Sequence, residues 1–268
     1  MRKHTKTIGA LAAASAFVAG YASAEIKGEV HVGYSTEYEF RFVDLGSDLI
    51  EAGADISYDW ADIGLTLSAG AWYGSVNDAQ NAVVLAPSGA VLGSHDFNEL
   101  DLYAAVAKDI GPVNLELGVI WYTYQDTPTN LDTTEIYLGA TYKLPWDLAL
   151  SGTFYLDVDS NNGWYFQPEL AKSFKFNDCL ALNLSTGVGF ADGNQAQARA
   201  GRINPGSSAD GFQGWFVKAE LPWTFRENVT IAPYIKYADA DNKLAGDINS
   251  TEGGQEHLLG GVKLTVGF

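Results

Sequence analysis

The sequence predicts an all-β fold, a transmembrane antiparallel up-and-down β-barrel of about 12 strands. Three observations carry this. Apolar and polar residues alternate along many short segments, no apolar run after the N-terminus is long enough for a spanning helix, and the first residues read as a leader.

The leader comes first. Met1 to Lys6 carries Arg2, Lys3 and Lys6, Thr7 to Gly20 is small and apolar, and Ala22-Ser23-Ala24 is an A-x-A site. This is the layout of a secretory signal peptide. Residues 1–24 are therefore expected to be removed and 25–268 to form the barrel. The apolar run is too short to serve comfortably as an anchor helix. No cysteine lies at the cleavage point to carry a lipid.

Loss of Arg2, Lys3 and Lys6, with no acid among the removed residues, takes the net charge from −17 to −20. So acidic a chain is not expected to bind nucleic acid. Cys179 is the single cysteine, so an intramolecular disulfide framework is excluded. Hydrophobic residues make up 47% of the chain and aromatics 13%, yet no later stretch approaches the ~18 consecutive apolar residues of a spanning helix. The apolar residues alternate instead.

The first segment sets the pattern. Ile26, Gly28, Val30, Val32, Tyr34, Thr36, Tyr38, Phe40 and Phe42 fall on even positions, and Lys27, Glu29, His31, Gly33, Ser35, Glu37, Glu39 and Arg41 on odd ones. A period of two gives a strand one apolar and one charged face. The same pattern places strands at 26–42, 49–60, 63–73, 98–107, 113–124, 133–142, 148–158, 164–175, 180–191, 212–221, 229–239 and 256–268. Their connections largely alternate between short (Ala61-Asp62, 108–112, 143–147, 176–179, 222–228) and long (74–97, 192–211, 240–255), with 43–48 and 159–163 as short outward loops. Short periplasmic turns opposite longer external loops are expected of an outer-membrane barrel.

Aromatic residues gather at strand ends, where amphipathic rings settle at headgroup level. Trp60, Tyr142, Trp146, Phe176, Trp223 and Phe225 form one expected girdle. Tyr38, Phe40, Tyr73, Trp121, Trp164, Phe190, Trp215 and Tyr237 form the other. The final segment alternates through Leu258, Gly260, Val262, Leu264 and Val266 to Phe268. That ending resembles the terminal signal read by the barrel assembly machinery, the expected partner beside outer-membrane lipids. A soluble sandwich or lipocalin-like barrel also alternates, but it would have to bury these charged faces.

Ser35-Thr36-Glu37-Tyr38-Glu39-Phe40-Arg41, followed by an acidic stretch and then Glu51-Ala52-Gly53-Ala54-Asp55, resembles the start of the TorF-type porin family of small Gram-negative outer-membrane barrels. Phe42 stands where that family's pattern has glycine. The resemblance covers the first two strands and implies an outer-membrane pore with no particular solute.

The charged face should line a lumen. Its acids are Glu29, Glu37, Glu39, Glu51, Asp55, Asp59, Glu99, Asp101, Glu116, Glu135, Asp157, Glu169 and Glu220; its bases are Lys27, Arg41, Lys218, Lys236 and Lys263, with His31 and His257. The acid excess implies a channel that attracts cations; the alternative is a plugged barrel whose interior charges pair. Strands ~4.8 Å apart and tilted by about 40° enclose a cylinder roughly 24 Å across, leaving ~12 Å between side chains. Inward rings (Trp72, Tyr103, Tyr122, Tyr124, Tyr137, Tyr155, Tyr165, Phe216, Tyr234) could guide flat solutes or simply fill space. Folding the chain about Trp223–Thr224 sets Phe216 opposite Tyr234.

Other chemistry has thinner support. Asp157 to Gly163 lacks the sixth-position glycine and twelfth-position glutamate of a calcium loop, and a polar turn explains it better. Asp239, Asp241, Asn242 and Asp247 are a second, equally weak group. His31 and His257 lie on strands that become neighbours on closure, with Ser35 on the face of His31, but no catalytic motif surrounds them. No phosphate loop or zinc spacing is present, and no cofactor is expected. Loop 74–97, with its apolar stretches 82–86 and 90–92, could constrict the mouth, pack on another barrel or form a small hairpin. The sequence thus leads to an outer-membrane channel for passive diffusion of small neutral or cationic solutes, with a closed structural or surface-interaction barrel as the second reading.

Overall fold

Alternating faces commit each segment to a strand, and twelve staves close the sheet on itself. In the computed structural model, residues 26–77, 84–85, 90–91, 96–125, 132–160, 163–192, 210–241 and 255–268 are described. The signal-peptide segment, most of loop 74–97 and most of loops 192–211 and 240–255 lie outside them.

The strands are β1 (Ile26–Phe40), β2 (Val43–Trp60), β3 (Leu65–Asn77), β4 (Val84–Leu85), β5 (Ala90–Val91), β6 (Phe97–Ile110), β7 (Val113–Gln125) and β8 (Thr133–Leu144). They continue with β9 (Leu148–Asp157), β10 (Trp164–Lys175), β11 (Ala181–Asp192), β12 (Gly211–Glu220), β13 (Trp223–Arg226), β14 (Val229–Ala240) and β15 (Gln255–Gly267). All wall pairings are antiparallel, and β1 pairs with both β2 and β15, so no edge strand remains. β4 and β5 pair only with each other, which makes part of loop 74–97 a small hairpin.

β12 and β13 are one stave interrupted at Leu221-Pro222. Both pair with β14, and proline cannot donate to the ladder. This corrects the sequence reading of 222–228 as a turn: the strand runs on to Arg226 and the reversal is at Glu227-Asn228. The register moves accordingly, so Phe216 faces Ala238 and Glu220 faces Tyr234.

The expected faces hold across the wall. Val30, Val32, Ile50, Ile56, Leu117, Leu138 and Leu150 are exposed outward, while Glu29, Glu99, Glu116, Glu135, Asp157 and Glu220 are buried inside. Trp60, Tyr142, Trp146, Phe176, Trp223 and Phe225 are exposed at one rim, and Tyr73, Trp121 and Trp215 toward the other. At the closing seam the backbones of Gly28 and Phe268 exchange hydrogen bonds of 3.0 and 2.8 Å, and the Phe268 ring covers Gly28 on the outside.

Tyr38 and Phe40 depart from the expected outer girdle. Tyr38 is buried, and both rings pack inside the barrel. The reason is the path of the β1–β2 hairpin. β1 pairs with β15 only from Glu29 to Ser35. Beyond Thr36, whose hydroxyl accepts from the Gly260 amide at 3.0 Å, the hairpin has no ladder to β15. A bulge at Tyr38/Glu39 disrupts its own ladder, and bulges bend strands. The stretch 43–48, expected to be a loop, belongs entirely to β2; the turn is Arg41-Phe42 alone. The hairpin tip folds into the lumen, and both its faces become interior faces.

Candidate functional site

The site is built on that tip. Arg41 and Phe42 have φ of 52° and 68°, the left-handed pair of a type I′ turn usually filled by Asn-Gly. Side chains this large in that conformation cost on the order of 1–3 kcal/mol each and persist where surrounding contacts over-determine them.

Those contacts cross the barrel. The Arg41 guanidinium donates two hydrogen bonds to Glu135 on β8, at 2.7 and 2.6 Å, and the pair is almost wholly buried. Three rings surround it, Phe40, Tyr155 and Tyr165, at 4.7, 4.5 and 4.6 Å from the guanidinium carbon. A buried arginine needs such a bidentate partner and cation–π faces to offset its lost hydration. Phe42 reaches β11 and β12, where Gly189 and Gly214 pair across the two strands. A Cβ on either would strike the Phe42 ring, so the two glycines form a notch for it. The ring joins Tyr165, Ala191, Phe216, Ala238 and Ala240 in one apolar cluster.

The flanks of the hairpin reach the other walls. Tyr38 packs on Trp72 and Phe97 and donates to Glu99 at 2.8 Å. Phe40 meets Tyr122 edge-on. On the opposite flank Glu39 pairs with Lys236, and Glu37 lies 2.5 Å from His257 Nδ1. The hairpin therefore spans the lumen from β3, β6 and β7 to β14 and β15, with its tip on β8 to β12.

Away from the hairpin, the acids expected in the lumen are there, and many accept from an aromatic side chain. Trp72 donates to Glu51 at 2.8 Å, Tyr103 to Asp55 at 2.6 Å, Tyr137 to Glu116 at 2.9 Å and Tyr122 to Glu135 at 3.0 Å. Glycines make this possible. Gly70 pairs with both Asp55 and Tyr103, and the Tyr103 ring lies over it to reach the carboxylate. Gly118 lies beneath Tyr137 in the same way. For Glu51, Asp55 and Glu116 these donors are neutral, whereas Glu135 is also held by Arg41. Others pair with bases: Lys27 with Asp59 at 2.8 Å and Lys218 with Glu220 at 2.9 Å. Asp101 faces Trp72 across the ladder, and Lys263 is buried on β15. Many of the inward rings are thus hydrogen-bonded parts of the wall, and Tyr137, Tyr155 and Tyr165 follow one another with ring centroids 5.7 and 6.2 Å apart.

β1 and β15, which carry His31 and His257, are neighbours as expected, but the two side chains are separated along the seam. His31 faces Thr265 on β15, whereas His257 lies further along that strand beside Glu37, and the Ser35 hydroxyl donates to the Glu37 carbonyl. Of the calcium-loop candidates, Asp157 accepts from Thr133 at 2.7 Å; residues 161–162, Asn242 and Asp247 lie outside the described residues. Among the described residues two groups bring metal-ligating atoms close together, Glu29–His31–Asp55 and Glu37–Asp44–His257. The sequence pattern places all of their members on the lumen face except Asp44, which it assigns to the 43–48 loop, and it does not join them, because only strand register does so.

The model of a bacterial protein family, Gcw_chp, matches residues 20–251. The chain belongs to the Gcw_chp family. That family is described as bacterial protein of unknown function. No curated protein matches this Gcw_chp chain. Solved structures share its fold. An outer-membrane channel from Pseudomonas putida F1 is 14% identical at TM-score 0.55, covering 93% of this chain and 97% of the other. The KdgM porin is 10% identical at 0.51, covering 90% and 99%, and LpxR from Salmonella typhimurium is 8% identical at 0.52, covering 89% and 99%. The Gcw_chp chain has the closed antiparallel β-barrel fold of these outer-membrane porins and channels.

Proposed function

We propose that the barrel is a channel for passive diffusion of small neutral or cationic solutes, with the in-folded β1–β2 tip as its constriction. The observation that supports it is the lumen wall: Glu29, Glu37, Glu51, Asp55, Asp59, Glu99, Asp101, Glu116 and Glu135 face the interior against fewer bases, Lys27, Arg41, Lys218, Lys236 and Lys263. A wall of one sign in a narrow lumen enriches cations and repels anions. We assign these residues the pore-lining role. The hairpin segment Ser35 to Arg41 is also where the chain resembles TorF-type porins, and we infer kinship with them on that stretch.

The second reading is a closed barrel without conductance. The depth of the Arg41–Glu135 pair and the breadth of the hairpin contacts favour it. Reconstitution of residues 25–268 in a planar bilayer separates the two. Stepwise, cation-selective conductance is expected of the channel; a folded, inserted sample that never conducts would leave the closed barrel.

A further inference from the structure

We propose that Glu29, His31 and Asp55 form a binding site for a first-row divalent metal ion, of the zinc or cobalt class, on the lumen wall below the hairpin. The three come from adjacent strands. Glu29 and Asp55 are directly opposed in the β1–β2 ladder, and His31 faces Gly53 one step further along. Two carboxylates opposed on one face of a sheet repel each other, and a cation between them reverses the sign of that interaction.

His31 supplies the second, independent observation. Its side chain is 1% exposed, and neither Nδ1 nor Nε2 has a hydrogen-bond partner. Buried polar groups are rarely left so, and an imidazole in this position is a natural metal ligand. The ring is held over Gly53, where a Cβ would collide with Cε1 and Nε2. Its Nδ1 lies 3.9 Å from Asp55 Oδ2. That is too long for a hydrogen bond, but within the ~4.2 Å that two donors bound at about 2.1 Å can span.

The donor atoms of all three residues lie within 4.8 Å of one another, so side-chain adjustments of about an ångström would bring them to the ~3.4 Å separation of donors bound tetrahedrally at about 2.1 Å. The other Asp55 oxygen, Oδ1, accepts from Tyr103 at 2.6 Å, the outer hydrogen bond that orients ligating carboxylates in metal sites. One imidazole and two carboxylates suit zinc, cobalt, nickel or manganese, leaving open positions for water. Lys263 is buried on β15 two residues from Thr265, the partner of His31 in the ladder, so its charge lies on the same wall. It is the resident cation with which a metal must compete.

The test uses the folded barrel, 25–268, in detergent micelles, titrated with zinc chloride by calorimetry and with cobalt chloride by visible absorption. One equivalent of zinc and a cobalt ligand-field band from mixed nitrogen and oxygen ligation are expected. His31→Gln and Asp55→Asn should each weaken zinc binding at least tenfold and remove the band. His257→Gln should change neither, and Lys263→Gln should tighten binding. Heat-modifiable gel migration verifies folding of each variant, and either ligand variant alone suffices. The proposal is overturned if the barrel binds no stoichiometric zinc, if binding survives His31→Gln or Asp55→Asn unchanged, or if it is lost in His257→Gln instead. None of these readouts requires the barrel to conduct.

Discussion

Arg41 and Glu135, 94 residues apart in sequence, meet inside the barrel through two charge-assisted hydrogen bonds of 2.6 and 2.7 Å. They tie the tip of the first hairpin to the far wall. Removing one partner of a buried pair costs about 3–5 kcal/mol because the other charge is left uncompensated. Arg41→Ala is therefore expected to favour an outward hairpin and to raise single-channel conductance severalfold. Unchanged conductance in a folded variant would mean that the hairpin is not the constriction.

The glycine notch makes a second prediction. Gly189→Val places side-chain atoms where the Phe42 ring and the Tyr165 hydroxyl now lie, so it should eject the tip without touching the ion pair directly. Arg41 should then become a tryptic cleavage site, whereas it is buried and protected in the parent barrel. Gly139→Ala is the control, since its nearest neighbour would be an ordinary 3.6 Å contact. Equal protease resistance in all three proteins would refute the notch.

Selectivity tests the acidic wall. Glu51→Gln, Asp55→Asn and Glu116→Gln together remove charges that accept only neutral donors among their described hydrogen bonds. The reversal potential across a potassium chloride gradient should fall toward zero. Even in the parent it should shrink as salt rises, because the Debye length falls to about 3 Å at 1 M. Anion preference at neutral pH would contradict the proposed channel mechanism.

The two faces of the wall should respond differently to charge. Leu138 faces lipid and is 54% exposed, so Leu138→Arg should destabilise the folded barrel by about 2–4 kcal/mol if it lies at mid-membrane. Thr66 faces the lumen and bonds Asp59 at 2.8 Å, so Thr66→Arg should cost far less. Denaturant titration in lipid vesicles measures both, and equal costs would invert the assigned faces.

Phe268 closes the seam against Gly28, and we assign it the contact with the assembly machinery. Deleting it should lower the amount of barrel inserted in the outer membrane while leaving secretion intact, as read by fractionation and heat-modifiable migration. Equal yields would remove that assignment.

The alternation of Ile50, Ala52, Ala54 and Ile56 with Glu51, Gly53 and Asp55 determined a two-faced strand, because a residue's face in a sheet follows from its parity alone. The same argument repeated along the chain determined the wall, the stave count and the acidic lumen. Parity assumes, however, that a strand stays in the sheet. Tyr38 and Phe40 continue the outward parity of Val30 and Val32, yet they lie inside, because the hairpin leaves β15 after Ser35 and bends at its bulge. No local pattern encodes that departure. It depends on partners far along the chain: Glu135 for Arg41, and Gly189 and Gly214 for Phe42. Register likewise decided that His31 meets Asp55 and not His257. Parity is local and was legible in the sequence; the partners that hold a buried charge or ring are set by closure of the barrel, and only the tertiary structure could decide them.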